Sequence, residues 1–391
     1  MIVAGEASGD LHGANLVRAM QNLDSSLEFY GVGGRKMKAA GVRQIADAAD
    51  MAVVGLTEVF SKLGMILGVM RKLKKSLLEE RPALVILIDY PDFNMPLAKA
   101  ATKKGFKVFY YISPQVWAWR RGRIGQIKKY VAKMAVILPF EAEMYHQAGV
   151  DAVFVGHPLL DVVKTSYTRM EALSKFNLKD GATTENTLLP PIGKGETGKF
   201  SIVGILPGSR LSEVTRLLPE MIKTALILKE KLPAVQFVLP LADTLDQDYI
   251  AAALQPYQNE LDIKIIQNEI YDVLAVCDAA MVASGTATLE TALIGTPMII
   301  VYKMSPFSYL MGRLFVNVSH IGMANIIAGK TVVPELIQGD ANPARMAKEL
   351  LAILTDEERK RQIRKDLSGI REKLGNPGAA KRAAQSALEI I

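Results

Sequence analysis

Short apolar runs ending in Gly, Pro or Asp alternate with longer amphipathic stretches along most of this chain. No other feature restricts its fold as much. A strand followed by a helix and then another buried strand closes as a βαβ crossover, and repeated crossovers build a parallel sheet. The first half offers strands at Ile2–Ala4, Glu28–Tyr30, Leu84–Asp89, Val108–Ile112 and Ala135–Leu138, with a helix over Leu11–Leu23. Residues 177–199 (NLKDGATTENTLLPPIGKGETGK) lack periodicity and read as a linker or surface loop. The pattern then restarts, with strands at Ser201–Leu206, Val235–Leu239, Ile263–Ile266, Ala279–Ala283 and Pro297–Tyr302. Helices are expected at about Glu213–Lys231, at Tyr271–Val276 and at Thr286–Ile294. At roughly 150 residues per domain, 391 residues favour two domains over one. The expectation is an α/β protein of two doubly wound, Rossmann-like domains: residues 1–165, residues 166–340, and a basic helical tail over 341–391.

Composition narrows the function. Forty-seven Lys and Arg against 40 Asp and Glu give a net charge of +7, which favours an anionic partner. Mean hydropathy is +0.17, high for a soluble chain. Yet Leu84–Ile88 and Met298–Val301, the longest strongly apolar runs, fall far short of the ~20 residues a membrane span needs. Cys277 is the only cysteine, so intrachain disulfides and cysteine-based zinc sites are excluded and a cytosolic compartment fits. The first residues lack the charged and apolar regions of a secretory signal.

Four turns carry candidate chemistry. Gly5-Glu6-Ala7-Ser8-Gly9-Asp10 joins a strand to a helix, and Glu6 at the strand's carboxyl end has no packing purpose. Leu84–Ile88 reads as a strand buried on both faces that ends in Asp89, at the rim where open α/β sheets place ligands. Two readings of Asp89 stand: a general base, or an N-cap for the helix after Pro91, a role that Asp92 or Asn94 could also fill. Pro207-Gly208-Ser209-Arg210 offers glycine for close approach, a hydroxyl and a bidentate guanidinium for phosphate. Ser284-Gly285-Thr286 opens a helix whose N–H groups suit a diphosphate, with Glu290 one turn on for ribose hydroxyls; alternatively Thr286 is an N-cap and Glu290 an exposed residue. Two phosphate-type loops in one half favour a nucleotide. Gly31-Val32-Gly33-Gly34 is not a nicotinamide fingerprint. His157 and His320 are isolated, so they read as structural and no metal site is expected.

Two further stretches bear on partners. Within Leu56–Leu78, Phe60, Leu63, Leu67, Met70, Leu73 and Leu77 form a stripe, Met65, Ile66 and Val69 add apolar surface off it, and Arg71, Lys72, Lys74 and Lys75 follow. A core-facing helix explains the stripe; the added residues beside a basic cluster suit a helix lying in a membrane interface, with Met65, Ile66, Val69 and Met70 as contacts. Residues 113–123 hold Trp117 and Trp119 beside Arg120, Arg121 and Arg123. That combination fits a wall receiving a phosphorylated amphipathic substrate, or a solvated face; no recognised nucleic-acid motif accompanies it, and no nucleic acid is expected.

GEASGD (5–10), IDYPDFN (88–94), SPQVWAWR (113–120), LPFE (138–141), GHPL (156–159), LPGSR (206–210), SGTATLE (284–290) and ANIIAG (324–329) together resemble the lipid A disaccharide synthase family, in order and over most of the chain to about residue 340. The resemblance implies a GT-B fold with the active site in the cleft between two Rossmann-like domains and C-terminal helices crossing back. It implies inverting transfer of 2,3-diacylglucosamine from a UDP donor to 2,3-diacylglucosamine 1-phosphate, without metal or other cofactor. The setting is the cytoplasmic surface of the inner membrane, with a homodimer that exchanges C-terminal helices in some members. By position, Asp89 is the implied base, with Glu6 a second candidate. Gly208, Ser209 and Arg210 contact the nucleotide, Ser284, Gly285 and Thr286 hold phosphate, Glu290 holds ribose, and Asn325 matches an important asparagine. Ala324 stands where the family usually has proline, and the stretch 177–199 is longer than the family's. Within the same fold the alternative is a UDP-N-acetylglucosamine 2-epimerase, and outside enzymes a bilobed nucleotide-sugar binding protein.

Overall fold

The computed structural model describes residues 1–48, 56–118, 122–180, 200–242, 244–305, 309 and 320–391. It divides into two units, Met1–Asp161 with Leu374–Ile391, and Val162–Lys373. The first holds seven strands: β1 (Ile2–Ala4), β2 (Tyr30–Gly33), β3 (Arg43–Asp47), β4 (Val85–Ile88), β5 (Val108–Tyr111), β6 (Lys133–Val136) and β7 (Ala152–Phe154). Their order is β3-β2-β1-β4-β5-β6-β7, and every described pairing is parallel. The second holds β8 (Ser201–Leu206), β9 (Val235–Leu241), β10 (Ile263–Gln267), β11 (Ala279–Ala283), β12 (Met298–Tyr302) and β13 (Glu335–Ile337), in the order β10-β9-β8-β11-β12-β13, again parallel.

Burial on both faces is why the central strands read as unbroken apolar runs. Val85, Leu87, Tyr110 and Val136 pack on one side of the first sheet, and Ile86, Ile88, Phe109 and Tyr111 on the other. The side-chain period of two sends alternate residues to opposite helical layers. The expected strand at Glu28–Tyr30 lies instead at Tyr30–Gly33, and that at Ala135–Leu138 lies at Lys133–Val136.

The tail is not a separate body. Helices Pro343–Thr355 and Glu357–Lys373 belong to the second unit, and helix Ala379–Leu388 to the first. There it lays Ala383, Ala384 and Ala387 against helix Ala7–Leu23. Asp161 accepts the Gly378 and Ala379 N–H groups at 2.5 and 3.2 Å, and the Arg382 guanidinium donates to the Val155 carbonyl at 2.8 Å. The second unit begins right after Asp161, where Asp272 takes the Ser166 and Tyr167 N–H groups at 2.7 and 3.0 Å. Of the expected linker 177–199, residues 181–199 lie outside the described residues.

Asp10, at the end of the GEASGD motif, is structural. Its carboxylate accepts the N–H groups of Gly34, Lys36 and Met37 at 2.7, 3.0 and 2.9 Å, so it caps helix Arg35–Ala39 from a neighbouring element. Removing it orphans three donors, one buried and two part-buried. Asp10→Ala is expected to lower unfolding free energy by about 2 kcal/mol in a urea titration, with little change in the transition's slope.

Candidate functional site

Both sheets reverse direction at one place. From β1 the chain builds outward through β2 and β3, then returns to place β4 on β1's other side; β8 and β11 make the same reversal in the second unit. Consecutive crossovers there run to opposite faces and leave a crevice at the carboxyl ends of the two strands, the position where open α/β sheets bind ligands. Glu6 follows β1 and Asp89 follows β4, so both candidate carboxylates stand at the first switch point. Gly208-Ser209-Arg210 follows β8 and Ser284-Gly285-Thr286 follows β11, so both candidate phosphate loops stand at the second.

The turn at Asp89 is strained and braced. Asp89 and Tyr90 have φ of +44° and +46°, two successive non-glycine residues in the left-handed region, each costing about 1–3 kcal/mol. Neither Asp92 nor Asn94 caps the following helix: Tyr90 occupies the N-cap position and Pro91 the first turn. Instead the Asn94 amide donates to the Ile88 and Asp89 carbonyls at 3.1 and 2.7 Å, and the Tyr110 hydroxyl donates to the Asp89 carbonyl at 2.5 Å. With the backbone secured by those groups, the Asp89 carboxyl is not needed as a cap. Gly5 completes the arrangement, since a Cβ there would sit 2.2 Å from the Tyr90 ring.

Burial, and then the neighbouring Glu6 charge, push the Asp89 carboxyl up to about 6. Glu6 is the N-cap residue of helix Ala7–Leu23, yet its side chain makes no cap bond and is exposed. The pair therefore divides into a desolvated acid poised near neutrality and a solvated companion that tunes it.

In the second unit the loops differ from expectation in detail. Gly208 has φ of +117°, and a Cβ there would meet the Glu213 carboxylate at 2.3 Å. That carboxylate accepts the Ser209 and Arg210 N–H groups at 3.0 and 3.3 Å, so this backbone is committed internally. What the turn offers a ligand is the largely exposed Arg210 guanidinium, 3.6 Å from Glu213. Gly285, not Thr286, is the N-cap of helix Thr286–Ile294, and no side chain caps it, which leaves an electropositive helix end facing the switch point. Glu290 lies on the same face as Thr286, half-buried, accepting from the Tyr271 hydroxyl at 3.0 Å; burial raises its pKa.

Three expectations are corrected. Asn325 is fully buried, and its amide is spent within the protein: Nδ2 donates to Val333 O and Glu335 at 2.9 and 2.8 Å, and Oδ1 accepts from Val332 and Val333 N–H at 2.7 and 3.1 Å. It braces a loop and has no group left for a nucleotide. Val69 and Met70, expected at a membrane, are 6% and 9% exposed and lie in the core with Leu73 and Leu77; Ile66 packs partly against them. Leu67, expected in the core-facing stripe, is 47% exposed alongside Met65 at 48%. The side chains of Phe60 and Leu63 lie outside those described.

Of the tryptophan–arginine stretch, residues 119–121 lie outside the described residues. The Trp117 indole donates to Glu141 at 3.2 Å and Arg123 pairs with Asp92, so part of that stretch's charge is neutralised. Burial drives the Glu141 carboxyl up to about 8 and the His157 imidazole down to about 3, each toward its neutral form. Composition gave no hint of Glu213, Tyr110, Tyr271 or Glu335; all four act by holding a backbone or a carboxylate in place. Among the described residues, no group of three or more His, Cys, Asp or Glu could hold a metal ion.

Residues 1–390 match the family model described as lipid-A-disaccharide synthetase. The lipid-A-disaccharide synthase of Syntrophus aciditrophicus is 57% identical over 395 residues, covering 100% of this chain and 97% of that protein. The chain belongs to the lipid-A-disaccharide synthetase family. The lipid-A-disaccharide synthase of Geobacter sulfurreducens is 46% identical over 391 residues, covering 100% of this chain and 97% of that one. Relatives so named are enzymes, and this family is one of glycosyltransferases. In fold the chain is similar to S. aureus MnaA solved with UDP (TM-score 0.63, 13% identity, 100% of this chain and 97% of that one). It is also similar to a putative UDP-N-acetylglucosamine 2-epimerase from Listeria monocytogenes (TM-score 0.60, 14% identity, 99% and 94%). At those identities the likeness shows the GT-B architecture alone. For a family member the local electrostatics have a direct consequence. Between the usual aspartate value and about 6, native Asp89 binds a proton that the unfolded chain has released, so stability falls as pH rises through that window. Asp89→Asn is expected to gain about 1–2 kcal/mol relative to the unaltered protein between pH 4 and pH 7.5, measured by denaturant titration at both pH values.

Proposed function

We propose that this chain transfers 2,3-diacylglucosamine from its UDP donor to the 6-hydroxyl of 2,3-diacylglucosamine 1-phosphate with inversion, giving UDP and a β-1,6-linked tetraacyl disaccharide 1-phosphate. Family membership supports the reaction class. The observation that carries the mechanism is Asp89: a desolvated carboxylate on a braced, strained turn, beside Glu6, at the switch point of the first sheet.

In this reading Asp89 accepts the proton of the acceptor 6-hydroxyl as that oxygen forms its bond to the donor's anomeric carbon. Attack comes from the face opposite the diphosphate, so the anomeric bond breaks with its electron pair leaving on UDP. A base held near 6 is ionised at pH 7 yet basic enough to share a proton in the transition state, and burial, with Glu6 beside it, keeps it there. The departing diphosphate gains charge, which the Arg210 guanidinium and the uncapped N-terminus of helix Thr286–Ile294 would offset. Gly208 and Ser209 shape that turn, Ser284, Gly285 and Thr286 hold phosphate, and Glu290 receives the ribose hydroxyls.

Both substrates carry acyl chains. No described helix is long and apolar enough to cross a membrane. Helix Leu56–Glu80 exposes Met65 and Leu67 ahead of the exposed Arg71, Lys72, Lys74 and Lys75, a pattern suited to the cytoplasmic face of an anionic inner membrane. Ile66 sits beside them at the edge of the core. Co-sedimentation with vesicles containing about 30% anionic lipid is expected to fall at least threefold for the Met65→Ser, Leu67→Ser double variant, and to weaken with salt.

The direct test is conversion of the UDP-linked donor and the acyl-sugar phosphate to disaccharide and UDP. Asp89→Asn is expected to cut kcat/KM by about 10²–10⁴ with the fold intact, and the unaltered enzyme is expected to lose kcat/KM about tenfold per pH unit below 6. An active Asp89→Asn enzyme with an unchanged pH profile would remove Asp89 as the base.

A further inference from the structure

The strand order of the second sheet requires one long return. From β10 at the far edge the chain must pass back over β9 and β8 to lay β11 on the other side of β8, and the short helix Ile270–Val276 makes that passage, packing on both strands. The reversal that opens the crevice is therefore built by this helix. Tyr271 stands in its first turn, three residues or so from the carboxyl end of β10, and no step of the reaction just described uses it.

The chain around the tyrosine is firmly anchored. Asp272 is buried and receives the Ser166 and Tyr167 N–H groups, and Val273, Val276 and Cys277 lie in the core. The Thr296 hydroxyl, just past helix Thr286–Ile294, donates to the Leu274 carbonyl at 2.7 Å. From this base the Tyr271 hydroxyl reaches the same neighbouring helix and donates to Glu290 Oε1 at 3.0 Å. The crossover helix and the helix of the phosphate turn are thus tied at two points. One of those ties ends on the acid that shares a face with Thr286.

Glu290 needs such a donor. Burial raises its pKa, and the bond from Tyr271 works against that rise. Deprived of it, the half-buried carboxyl would take up a proton or turn toward solvent, and either change withdraws an acceptor from the crevice. A carboxylate carries lone pairs on both oxygens, so a bond at Oε1 leaves Oε2 to accept from a ligand. Tyr271 and a ribose hydroxyl therefore do not compete for the same atom.

We infer that Tyr271 is a positioning residue for ribose recognition: its hydroxyl fixes Glu290 Oε1 so that Oε2 accepts from the ribose of the UDP group. The inference rests on the reading of Glu290 as the ribose acceptor and adds the group that holds that acceptor in place.

Isothermal titration with UDP and with 2′,3′-dideoxy-UDP tests it, since the second nucleotide keeps the base and the diphosphate but lacks both ribose hydroxyls. The unaltered protein is expected to bind UDP about tenfold tighter than the dideoxy nucleotide. Tyr271→Phe keeps the ring; it is expected to weaken UDP binding about fivefold and to leave dideoxy-UDP binding within about twofold. In a Glu290→Ala background the same change is expected to alter UDP binding less than about twofold, because nothing remains to be positioned. In disaccharide synthesis, Tyr271→Phe is expected to raise KM for the donor about fivefold while KM for the acceptor stays within about twofold.

Equal losses for the two nucleotides in Tyr271→Phe would make the tyrosine a general brace of the helix pair and overturn the inference. If the unaltered protein binds neither nucleotide, or both equally well, the reading of Glu290 fails along with the inference. If it prefers UDP and Tyr271→Phe keeps that preference undiminished, the inference alone fails.

Discussion

A parallel sheet whose strand order reverses once must leave its crossovers on opposite faces at that point, and the chemistry assigned to this chain depends on that constraint. The two sheets obey it identically, with β1 beside β4 in one unit and β8 beside β11 in the other. Each pair ends in the two loops that carry the candidate groups. Acids occupy the first reversal, and a guanidinium and an uncapped helix end occupy the second. In the proposed reaction one backbone architecture would thus serve proton acceptance in one unit and anion binding in the other. The loop chemistry, not the fold, decides which.

At the first reversal the design problem is to keep a carboxylate basic without burying an unpaired charge outright. Asp89 meets it by partial desolvation beside Glu6, which remains in solvent. The cost is a left-handed turn at two non-glycine residues, offset by Asn94, Tyr110 and the ladder bond from the Asp89 N–H to Tyr111 at 3.1 Å. None of those braces uses the Asp89 side chain. At the second reversal the acid Glu213 plays the same supporting part, fixing the turn so that Arg210 projects outward.

How much of this was legible in the sequence depended on length and on sequence separation. Strands such as Val85–Ile88 were plain because burial on both faces demands consecutive apolar residues. The strands Arg43–Asp47, Ala152–Phe154 and Glu335–Ile337 were not, since all three are edge strands with a neighbour on one side only and the last two offer just three residues of pattern. In helix Leu56–Glu80 the consecutive apolar residues Met65, Ile66 and Leu67 left the phase open. Packing turned Ile66, Val69, Met70, Leu73 and Leu77 inward and put Leu67 outside, against the stripe read from spacing. Asn325 illustrates the other limit: its partners lie seven to ten residues downstream, so nothing local distinguished a brace from a ligand. Asp89 and Glu6 were found because a carboxylate at the end of a buried strand is conspicuous, and the family likeness then gave each a role.

Burial, and then the charge of Glu6, hold the proton affinity of Asp89 above the ordinary aspartate range. A carboxyl-carbon NMR titration of the folded protein, with Asp89 assigned by substitution, reads that affinity directly. The midpoint is predicted at about 6, moving toward the ordinary aspartate range in Glu6→Gln because one of its two raising influences is removed. A midpoint near 4 in the unaltered protein, indifferent to Glu6, would contradict it.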